Sequence, residues 1–461
     1  MTEIQSAAGS AAAGIGALRA RIQGDVVLPG EPAWDEARLA WNLAADQRPA
    51  AVVYAESAAD VSATVQAAVA SGLRVAPQGT GHGAMALGEL ADTILLKTSR
   101  LRGVSIDPEA RRGRAEAGVL WIEVVEEAVK HGLTALHGSS PDVGVVGYSL
   151  GGGIGWLARR YGLAVNGVTA VELVMADGRL VRADAETESD LFWAVRGGGG
   201  SFGVVTAIEL ELYPIEEVYA GVLFFPAERG PEVLHAWRTW TETVPDEVTS
   251  VGRYMSFPPF PQVPEPLRGR SFVLVEAVFL GDEAEGAELI RPLRELGPAM
   301  DTFATVPAIA LTRLHMDPED PVPGVGDGFM LRSLPPEAVD ALVEVAGAES
   351  GSPLLSVEVR HLGGALAQPQ PGNGALASLD ARFAVFAVGI GAPEIAAAVE
   401  AQLAKVQEAL APWRAEQAYF NFAEADTDAA GFYAPTVYRR LRAIRAEVDP
   451  DGVCVANHPI G

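Results

Sequence analysis

The alternation of apolar and polar positions predicts interleaved helices and strands in the first half of the chain. Ser57-Ala-Ala-Asp60 begins a helix, because a serine cap and an acidic first turn stabilise a helix N-terminus. The apolar runs 168–175 and 179–183 flank Ala176-Asp177-Gly178, a sequence typical of a hairpin turn. Residues 204–212 alternate as a half-buried strand does. This half of the chain therefore has an α+β pattern.

From about Pro214 onward the pattern favours an antiparallel sheet covered by helices, which forms a second domain. The predicted strands are residues 219–225, 271–280, 354–362 and 383–390, and the predicted helices are about 228–242, 283–296, 336–347 and 393–410. The tail differs again, with a strand at Tyr419–Phe422 and a helix around Thr436–Glu447 that ends before Asp449-Pro450.

The segment Leu73 to Ala84, LRVAPQGTGHGA, joins a short apolar strand to a loop with glycine at positions 79, 81 and 83. Glycine lets backbone N–H groups come within hydrogen-bonding distance of a phosphate, because no Cβ stands in the way. His82 lies inside this loop and therefore beside whatever the loop holds. From this segment alone, a phosphate-binding loop and a surface turn with an incidental histidine explain the sequence about equally well.

A second glycine cluster precedes the apolar-rich run Trp156 to Tyr161, which predicts a short helix. Its members are Gly151, Gly152, Gly153 and Gly155. Helix N-termini bind anions through free N–H groups and the helix dipole. The spacing fits the dinucleotide-binding fingerprint only loosely. Two glycine loops far apart in the chain therefore indicate one extended phosphate-bearing ligand held from two sides.

Composition narrows the class of partner. The 461 residues carry a formal net charge of −26, with 34 basic against 60 acidic residues. That balance argues against nucleic acid and anionic membranes, which need a basic surface. Cys454 is the only cysteine, so internal disulfides and thiolate metal clusters are excluded, and no His–carboxylate metal motif is present. Without a signal-peptide pattern or an apolar run long enough for a transmembrane helix, the expected location is the cytoplasm.

Seven segments in order carry a resemblance to a known family. They are Asp35-Glu-Ala-Arg-Leu-Ala-Trp-Asn42, the His82 loop, Gly138 to Gly155, Ser201 to Thr206, Leu362 to Ala365, Tyr419 to Phe422, and the end from Tyr438 to Asn457. Together they resemble the berberine-bridge-enzyme-like flavin oxidases of the vanillyl-alcohol-oxidase superfamily. The resemblance implies a two-domain α+β fold of PCMH type. Residues 1–215 and 416–461 would form the FAD-binding domain, and 216–415 an antiparallel-sheet substrate domain covered by helices.

The resemblance also implies an FAD site. His82 matches the histidine that bonds covalently to the flavin 8α-methyl carbon, and neutral imidazole is a competent nucleophile for that bond. Ser140 stands where many relatives have the cysteine of a second link, so a single link is expected. Gln78 replaces an arginine of many relatives, which leaves more of the phosphate binding to the backbone. The implied FAD-binding residues are Gln78, Gly79, Thr80, Gly81, His82, Gly83, Gly138, Ser139, Ser140, Val143, Gly144, Gly147, Gly151, Gly152, Gly153, Gly155, Val204, Val205 and Asn457.

The catalytic base is less clearly marked. Tyr419 matches the tyrosine of a Tyr-x-Asn motif that is the base in sugar-oxidising relatives. A phenol has a pKa of about 10, so a neighbour must lower it, and Arg360 or His361 could do so from an inward position. Residues 375–380, which match the region of a catalytic glutamate in other relatives, offer no carboxylate at the matching place. Tyr148 either lines the flavin face or packs within the domain, and so Tyr419, Tyr148 and His361 are the candidate catalytic residues.

The function implied is an FAD-dependent oxidase of an alcohol or amine carbon, with hydride transfer to flavin N5 and O2 as acceptor, giving H2O2. In the family, a small residue two positions before the cysteine site leaves space for O2 above the flavin. Gly138 stands at that position and favours an oxidase. Two alternatives are a dehydrogenase with another acceptor and a catalytically inactive protein that binds flavin or another ligand. A small-molecule substrate is expected, and the sequence leaves its identity and the oligomeric state open.

Overall fold

The structure is a computed structural model that describes residues 15–461. The N-terminal stretch in which we find no signal-peptide pattern lies partly outside the described residues. In the described part of the chain, no helix is both long and apolar enough to cross a membrane.

The strands and helices are numbered here in chain order. The strands are β1 (Asp25–Val27), β2 (Ala51–Tyr54), β3 (Arg74–Gln78), β4 (Thr93–Lys97), β5 (Val104–Asp107), β6 (Arg112–Glu116), β7 (Val168–Val174), β8 (Leu180–Asp184), β9 (Val204–Glu211), β10 (Glu217–Pro226), β11 (Val248–Ser256), β12 (Ser271–Phe279), β13 (Met300–Asp301), β14 (Ala304–Pro307), β15 (Gly324–Leu331), β16 (Leu354–His361) and β17 (Phe383–Ile390). The helices are α1 (Trp34–Ala37), α2 (Ala58–Ala70), α3 (Trp121–Ala128), α4 (Val145–Leu150), α5 (Ala158–Tyr161), α6 (Ser189–Gly198), α7 (Gly230–Thr241), α8 (Glu283–Arg294), α9 (Pro336–Ala346), α10 (Ala396–Leu410) and α11 (Pro435–Val448).

The first sheet has the order β1-β2-β4-β3, with β2, β4 and β3 parallel. Helix α2 connects β2 to β3, and its cap is the predicted one, since the Ser57 side chain accepts a hydrogen bond from the Asp60 N–H. Parallel strands place the loops that follow them at one edge of the sheet. The glycine loop after Gln78 therefore lies at the carboxyl end of β3.

The second sheet, β5-β6-β9-β7-β8, is antiparallel and contains the predicted hairpin of β7 and β8. Both strands pack into a large apolar core with helices α3, α4 and α6. The mixed α+β class predicted from the pattern is confirmed.

The third sheet is antiparallel, with the order β13-β10-β12-β11-β16-β17-β15 and β14 paired to β10. Helices α7 to α10 cover one face, where Trp237, Val339 and Val399 share a core with Val275 and Val359. The other face turns toward the first half of the chain, since Val251 and Val278 pack with Trp156 and Leu136. The four predicted strands and four predicted helices of this region are confirmed.

The sequence analysis missed four strands of the third sheet, the short β13 and β14 and the longer β11 and β15. In β15, glycines at positions 324, 326 and 328 and a buried-face aspartate, Asp327, interrupt the apolar pattern. In β11, Gly252 and Arg253 do the same. The strands β11 and β15 form because their neighbours supply the ladder and the packing, which overrides weak local propensity.

The tail returns to the first sheet, where the N–H of Val75 bonds the carbonyl of Val453 at 2.8 Å and the N–H of Val455 bonds the carbonyl of Val75. Helix α11 ends before Asp449 as predicted. The predicted strand at Tyr419–Phe422 is wrong, because Phe420–Phe422 forms a 3-10 turn, closed by a hydrogen bond from the Phe422 N–H to the Tyr419 carbonyl. The domain bounds at 215 and 415 stay a prediction.

Candidate active site

The loop from Gly79 to Gly83 presents a run of free backbone donors. None of its five N–H groups donates a hydrogen bond to any atom of residues 15–461. Gly81 has a φ of +90°, and a Cβ there would lie 2.8 Å from the Cβ of Ala40. The loop thus needs glycine to adopt this shape, and the shape leaves its donors available to a ligand.

The His82 ring is held on three sides. It stacks on the Trp41 ring with centroids 4.0 Å apart and planes inclined by 17°. Its Nδ1 lies 2.7 Å from the Thr80 hydroxyl, and its Nε2 lies 3.5 Å from Asp142 Oδ2. The N–H of Trp41 bonds the carbonyl of Thr80 at 2.9 Å, which fixes the stacking partner to the loop itself.

A second run of free donors faces the first. The N–H groups between Gly138 and Gly144 likewise make no hydrogen bond to the described residues, Pro141 having none to offer. A Cβ at Gly144 would lie 3.7 Å from Thr80 Cγ2, so the two loops touch. Ser140 donates to Asp142 Oδ1 at 2.7 Å. Two adjacent loops with unused N–H groups fit a pyrophosphate-bearing cofactor such as FAD.

Burial alone would raise the pKa of Asp142, but hydrogen bonds from His82 and Ser140 outweigh it and hold the pKa below its usual value. Asp142 is therefore ionised at neutral pH, beside the imidazole ring.

The cluster Gly151 to Gly155 serves another purpose than the one predicted. The helix expected at Trp156 is only the single turn α5, and the glycines instead follow α4. The N–H groups of Gly151 and Gly152 bond carbonyls of α4, and those of Gly153 and Ile154 bond the Tyr419 hydroxyl. The N–H groups of Gly151, Gly152 and Gly153 are therefore not available to a phosphate, whereas the predicted role of Gly155 toward the cofactor stays a prediction.

What these glycines provide is space for side chains. A Cβ at Gly153 would lie 2.5 Å from the Tyr148 ring, one at Gly152 would lie 3.1 Å from the Tyr419 ring, and one at Gly151 would overlap the Asn421 amide. At Gly155 it would meet the carbonyl of His137. Absence of a Cβ lets the tyrosines approach the backbone closely.

Three further predicted cofactor residues lie in two different parts of the structure, one beside the glycine loop and two within strand β9. Asn457 donates to the carbonyl of Gly83 at 2.8 Å and ties the tail to the glycine loop. Val204 and Val205 are buried in β9, paired with Val174 and Leu173.

Gln78 does not reach into the loop cavity. Its buried amide bonds Gln47 at 2.8 Å and accepts from Lys97, whose ammonium also bonds the carbonyl of Leu39. Burial lowers the pKa of Lys97 to about 8. A side-chain role of Gln78 toward the cofactor is thus not supported. Instead, the hydrogen bond between Gln78 and Lys97 stabilises the base of the loop.

Tyr419 and Tyr148 do come together. The buried Tyr419 hydroxyl accepts from the N–H groups of Gly153 and Ile154 at 3.0 and 3.1 Å, and from the Asn421 amide at 3.3 Å. The Tyr148 hydroxyl is buried and has no partner among the described residues. Burial raises the pKa of both phenols, and the charge of Arg360 opposes that rise.

The Tyr148 ring lies directly beside Gly138. A Cβ at Gly138 would lie 2.9 Å from Tyr148 Cε2. Gly138 therefore makes room for the tyrosine ring, and its predicted role in admitting O2 stays a prediction.

His361 lies elsewhere. Its ring stacks on Phe383 at 5.6 Å, its Nε2 lies 3.1 Å from the Arg159 guanidinium, and burial lowers its pKa to about 3. Neighbouring residues of a strand point to opposite faces. Since Arg360 occupies the face toward the tyrosines, His361 belongs to the helix-covered face, and the structure does not bring it to the candidate site.

A buried group of charges was missed by the sequence analysis. This charge cluster consists of Arg253, Glu276, His315, Asp317, Glu358 and Arg360. Val251 pairs with both Glu276 and Arg360 across the sheet, and Arg253 pairs with Glu358, so the strand members share the face turned toward the first half of the chain.

His315 is the centre of the charge cluster, with Nδ1 2.5 Å from Glu276 and Nε2 2.6 Å from Glu358. Although burial and Arg253 oppose protonation, the carboxylates raise the pKa of His315 to about 9. Burial raises the pKa of Asp317. The signal that could have found this cluster is charged residues at interior positions of otherwise apolar strands.

Arg360 connects the charge cluster to the cofactor loop. Its Nε donates to Glu358 at 2.6 Å, and its Nη2 lies 3.4 Å from the Ser139 hydroxyl. Ser139 in turn lies 3.4 Å from Asp317 Oδ2. The Arg360 guanidinium carbon also lies 5.4 Å from the centre of the Phe422 ring. Arg360 therefore lies between the charge cluster and the Ser139 loop, close enough for its charge to act on Tyr148 and Tyr419.

Comparison with known proteins identifies the kind of domain in the first half of the chain. Residues 49–184 match the FAD binding domain family. The (R)-6-hydroxynicotine oxidase of Paenarthrobacter nicotinovorans is 36% identical over 194 residues, which are 42% of each chain. The glucooligosaccharide oxidase of Sarocladium strictum is 31% identical over 226 residues, 47% of this chain and 44% of that protein. The chain thus spans less than half the length of these two relatives.

The solved structure of BBE-like 1 from Physcomitrella patens covers 97% of this chain and 99% of its own, with a TM-score of 0.84 and 21% identity. The family match over residues 49–184 shows that the protein has an FAD-binding domain. The chain has the two-domain fold of the berberine-bridge-enzyme-like proteins.

Proposed function

We propose that this protein is an FAD-dependent oxidase that carries its flavin on His82 alone. It removes a hydride from an alcohol or amine carbon of a small-molecule substrate and gives H2O2 from O2. The FAD binding domain match supports the cofactor. The single observation that carries the proposal is the pair of facing loops, Gly79–Gly83 and Gly138–Gly144, whose unused N–H groups surround His82.

The substrate reacts in the region between the charge cluster and the two tyrosines, Tyr148 and Tyr419. When FAD is bound, it accepts the hydride and passes the electrons to O2. The chain itself must orient the substrate and take one proton from its hydroxyl or amine. The Tyr419 hydroxyl is suited to proton transfer, because three N–H donors stabilise negative charge on its oxygen.

The pH dependence of this step has a defined sign. Because burial raises the Tyr419 pKa, the phenol is protonated at neutral pH. A base acts in its deprotonated form, so the rate of flavin reduction rises with pH across the alkaline range. The Arg360 charge favours the deprotonated form and makes that rise begin earlier.

Substrate recognition is assigned to the charge cluster. Arg360 and Asp317 flank Ser139 and present both signs of charge at the loop. Such a face suits a polar molecule with hydrogen-bond donors and acceptors. The names of the two relatives, a hydroxynicotine oxidase and an oligosaccharide oxidase, support an amine or an alcohol substrate in equal measure.

The test is anaerobic mixing of the purified yellow protein with a panel of primary and secondary alcohols, sugars and cyclic amines. Loss of the flavin absorbance with at least one compound is expected. Readmission of O2 should restore the absorbance with one H2O2 formed per flavin. Slow reoxidation by O2, comparable to free flavin, together with fast reoxidation by an artificial acceptor, would establish the dehydrogenase alternative. No reduction by any compound would favour an inactive binding protein.

A further inference from the structure

His82 does not stand alone in its loop. Thr80, His82 and Asp142 form a line in which the hydroxyl meets Nδ1 at 2.7 Å and the carboxylate meets Nε2 at 3.5 Å. The Trp41 ring covers one face of the imidazole and limits its rotation. The same order of groups orients the imidazole in catalytic triads, where the carboxylate fixes the tautomer.

Asp142 Oδ2 is the unusual member. It is buried and has no hydrogen-bond partner closer than the His82 ring among the described residues. The other oxygen, Oδ1, is bonded by the Ser140 hydroxyl at 2.7 Å. A buried carboxylate oxygen with a single neighbour is costly unless that neighbour donates to it. His82 Nε2 is the donor available.

We propose, as an inference that rests on the covalent link of the proposed function, that Asp142 is the positioning residue that activates His82 for its own attachment to FAD. Asp142 holds the proton on Nε2 and so leaves the lone pair on Nδ1. Thr80 donates to that lone pair in the resting loop and marks the side from which Nδ1 attacks.

The bond changes balance as follows. A bond forms between His82 Nδ1 and the flavin 8α carbon, and one C–H bond of the 8α-methyl group breaks. The imidazole becomes positively charged while Nε2 keeps its proton, and the Asp142 carboxylate stabilises that charge. Two electrons enter the flavin ring system and pass to O2. The methyl proton and finally the Nε2 proton accompany them, so the sum is one link and one H2O2.

The alternative tautomer is disfavoured by charge. If Nδ1 carried the proton, the Nε2 lone pair would face an ionised carboxylate at 3.5 Å. That arrangement is repulsive and leaves Asp142 Oδ2 buried without a donor. The geometry thus selects the form of His82 that can attack.

The experiment uses full-length protein from riboflavin-limited cells, mixed with FAD in air and quenched in acid at intervals. Flavin that stays with the chain measures the rate of attachment. Asp142→Asn should still bind FAD, as measured by flavin retained on gel filtration before denaturation. Its attachment should be slower by about 10² or more, as when the orienting acid of a triad is lost. Asp142→Glu should recover part of the rate, and Asp92→Asn, a surface control paired with Arg74, should match the wild type.

The outcomes separate the two proposals. No covalent flavin on the wild-type chain would overturn the proposed single link. Covalent flavin on wild type with an equal rate in Asp142→Asn would overturn only the role of Asp142.

A second measurement needs no folded variant of Asp142. In ¹⁵N-histidine NMR of the wild-type protein before FAD is added, the His82 signal, assigned by its loss in His82→Gln, should show the proton on Nε2. A proton on Nδ1 would contradict the inference.

Discussion

The two glycine-rich regions of this molecule look alike in sequence and do opposite things in the fold. In the Gly79–Gly83 loop the backbone donors have no partner among residues 15–461, and the glycines shape the loop around His82. In the Gly151–Gly155 cluster the donors of Gly151, Gly152 and Gly153 are consumed inside the protein, and the missing Cβ atoms make room for Tyr148 and Tyr419. Glycine therefore has two distinct physical uses here, exposing donors and admitting side chains, and only the hydrogen-bond partners distinguish them.

The largest expected effect tests the second region. Tyr419→Phe should slow flavin reduction by substrate about 10²–10⁴-fold while leaving the FAD content unchanged, because the hydroxyl serves proton transfer and the N–H groups of Gly153 and Ile154 do not hold FAD. Stopped-flow absorbance measures the rate, and flavin per chain measures the content. Tyr433→Phe, which removes a buried hydroxyl bonded to Gly197, is the matched control and should keep the rate. A large loss of FAD in Tyr419→Phe, but not in Tyr433→Phe, would show that the Gly151–Gly155 cluster binds the cofactor.

The next test is a matched pair of glycine substitutions. Gly81 and Gly153 have φ angles of +90° and +83°, and a Cβ would lie 2.8 Å from Ala40 and 2.5 Å from Tyr148, respectively. Gly153→Ala should lower the free energy of unfolding by about 2–4 kcal/mol, through backbone strain and overpacking. Gly81→Ala should cost about 1–2 kcal/mol, since its loop is partly exposed, but should lower FAD affinity more strongly.

These two variants are compared by urea unfolding without FAD and by FAD titration, with His82→Ala as the background so that binding is reversible. The expected result is a crossed pattern, with stability affected most at one glycine and FAD affinity at the other. Equal loss of FAD affinity in both would show that the two regions have the same use.

The smallest effect concerns the tail. Asn457→Ala removes one hydrogen bond to the carbonyl of Gly83 and should cost about 1 kcal/mol, or about fivefold in FAD affinity. Asn166→Ala, which removes a comparable bond to the carbonyl of Ala377, is the control and should leave affinity unchanged. The readout is again FAD titration in the His82→Ala background. An unaltered affinity in Asn457→Ala would mean that the tail does not support the glycine loop.

The sequence predicts the helices and strands of this protein better than the arrangement of its candidate active site. Local signals such as the Ser57 cap and the turn at Asp177-Gly178 identify helices and hairpins, because they depend on neighbours in the chain. The order of the motifs that resemble the family predicts the two-domain fold. The strand β15, with its glycines and Asp327, could not be predicted, because only its pairing with β17 makes it a strand.

The charge cluster illustrates what the sequence cannot supply. Arg253, Glu276 and Glu358 each resemble an ordinary polar residue in the chain, and only the register of three strands brings them together. His361 and Arg360 were equivalent candidates in sequence, and the alternation of the strand separates them to opposite faces. Likewise the space beside Gly138 depends on where the Tyr148 ring turns, which only the fold determines.

The central claim is that the free donors of the Gly79–Gly83 loop hold FAD and present it to His82. The most direct test is the intact mass of the acid-denatured wild-type chain, followed by tryptic mapping. The account predicts a mass increase of one FAD, carried only by the peptide of residues 75–97, which contains His82. A chain without added mass, or flavin on a peptide that contains Cys454 or any residue other than His82, would contradict it.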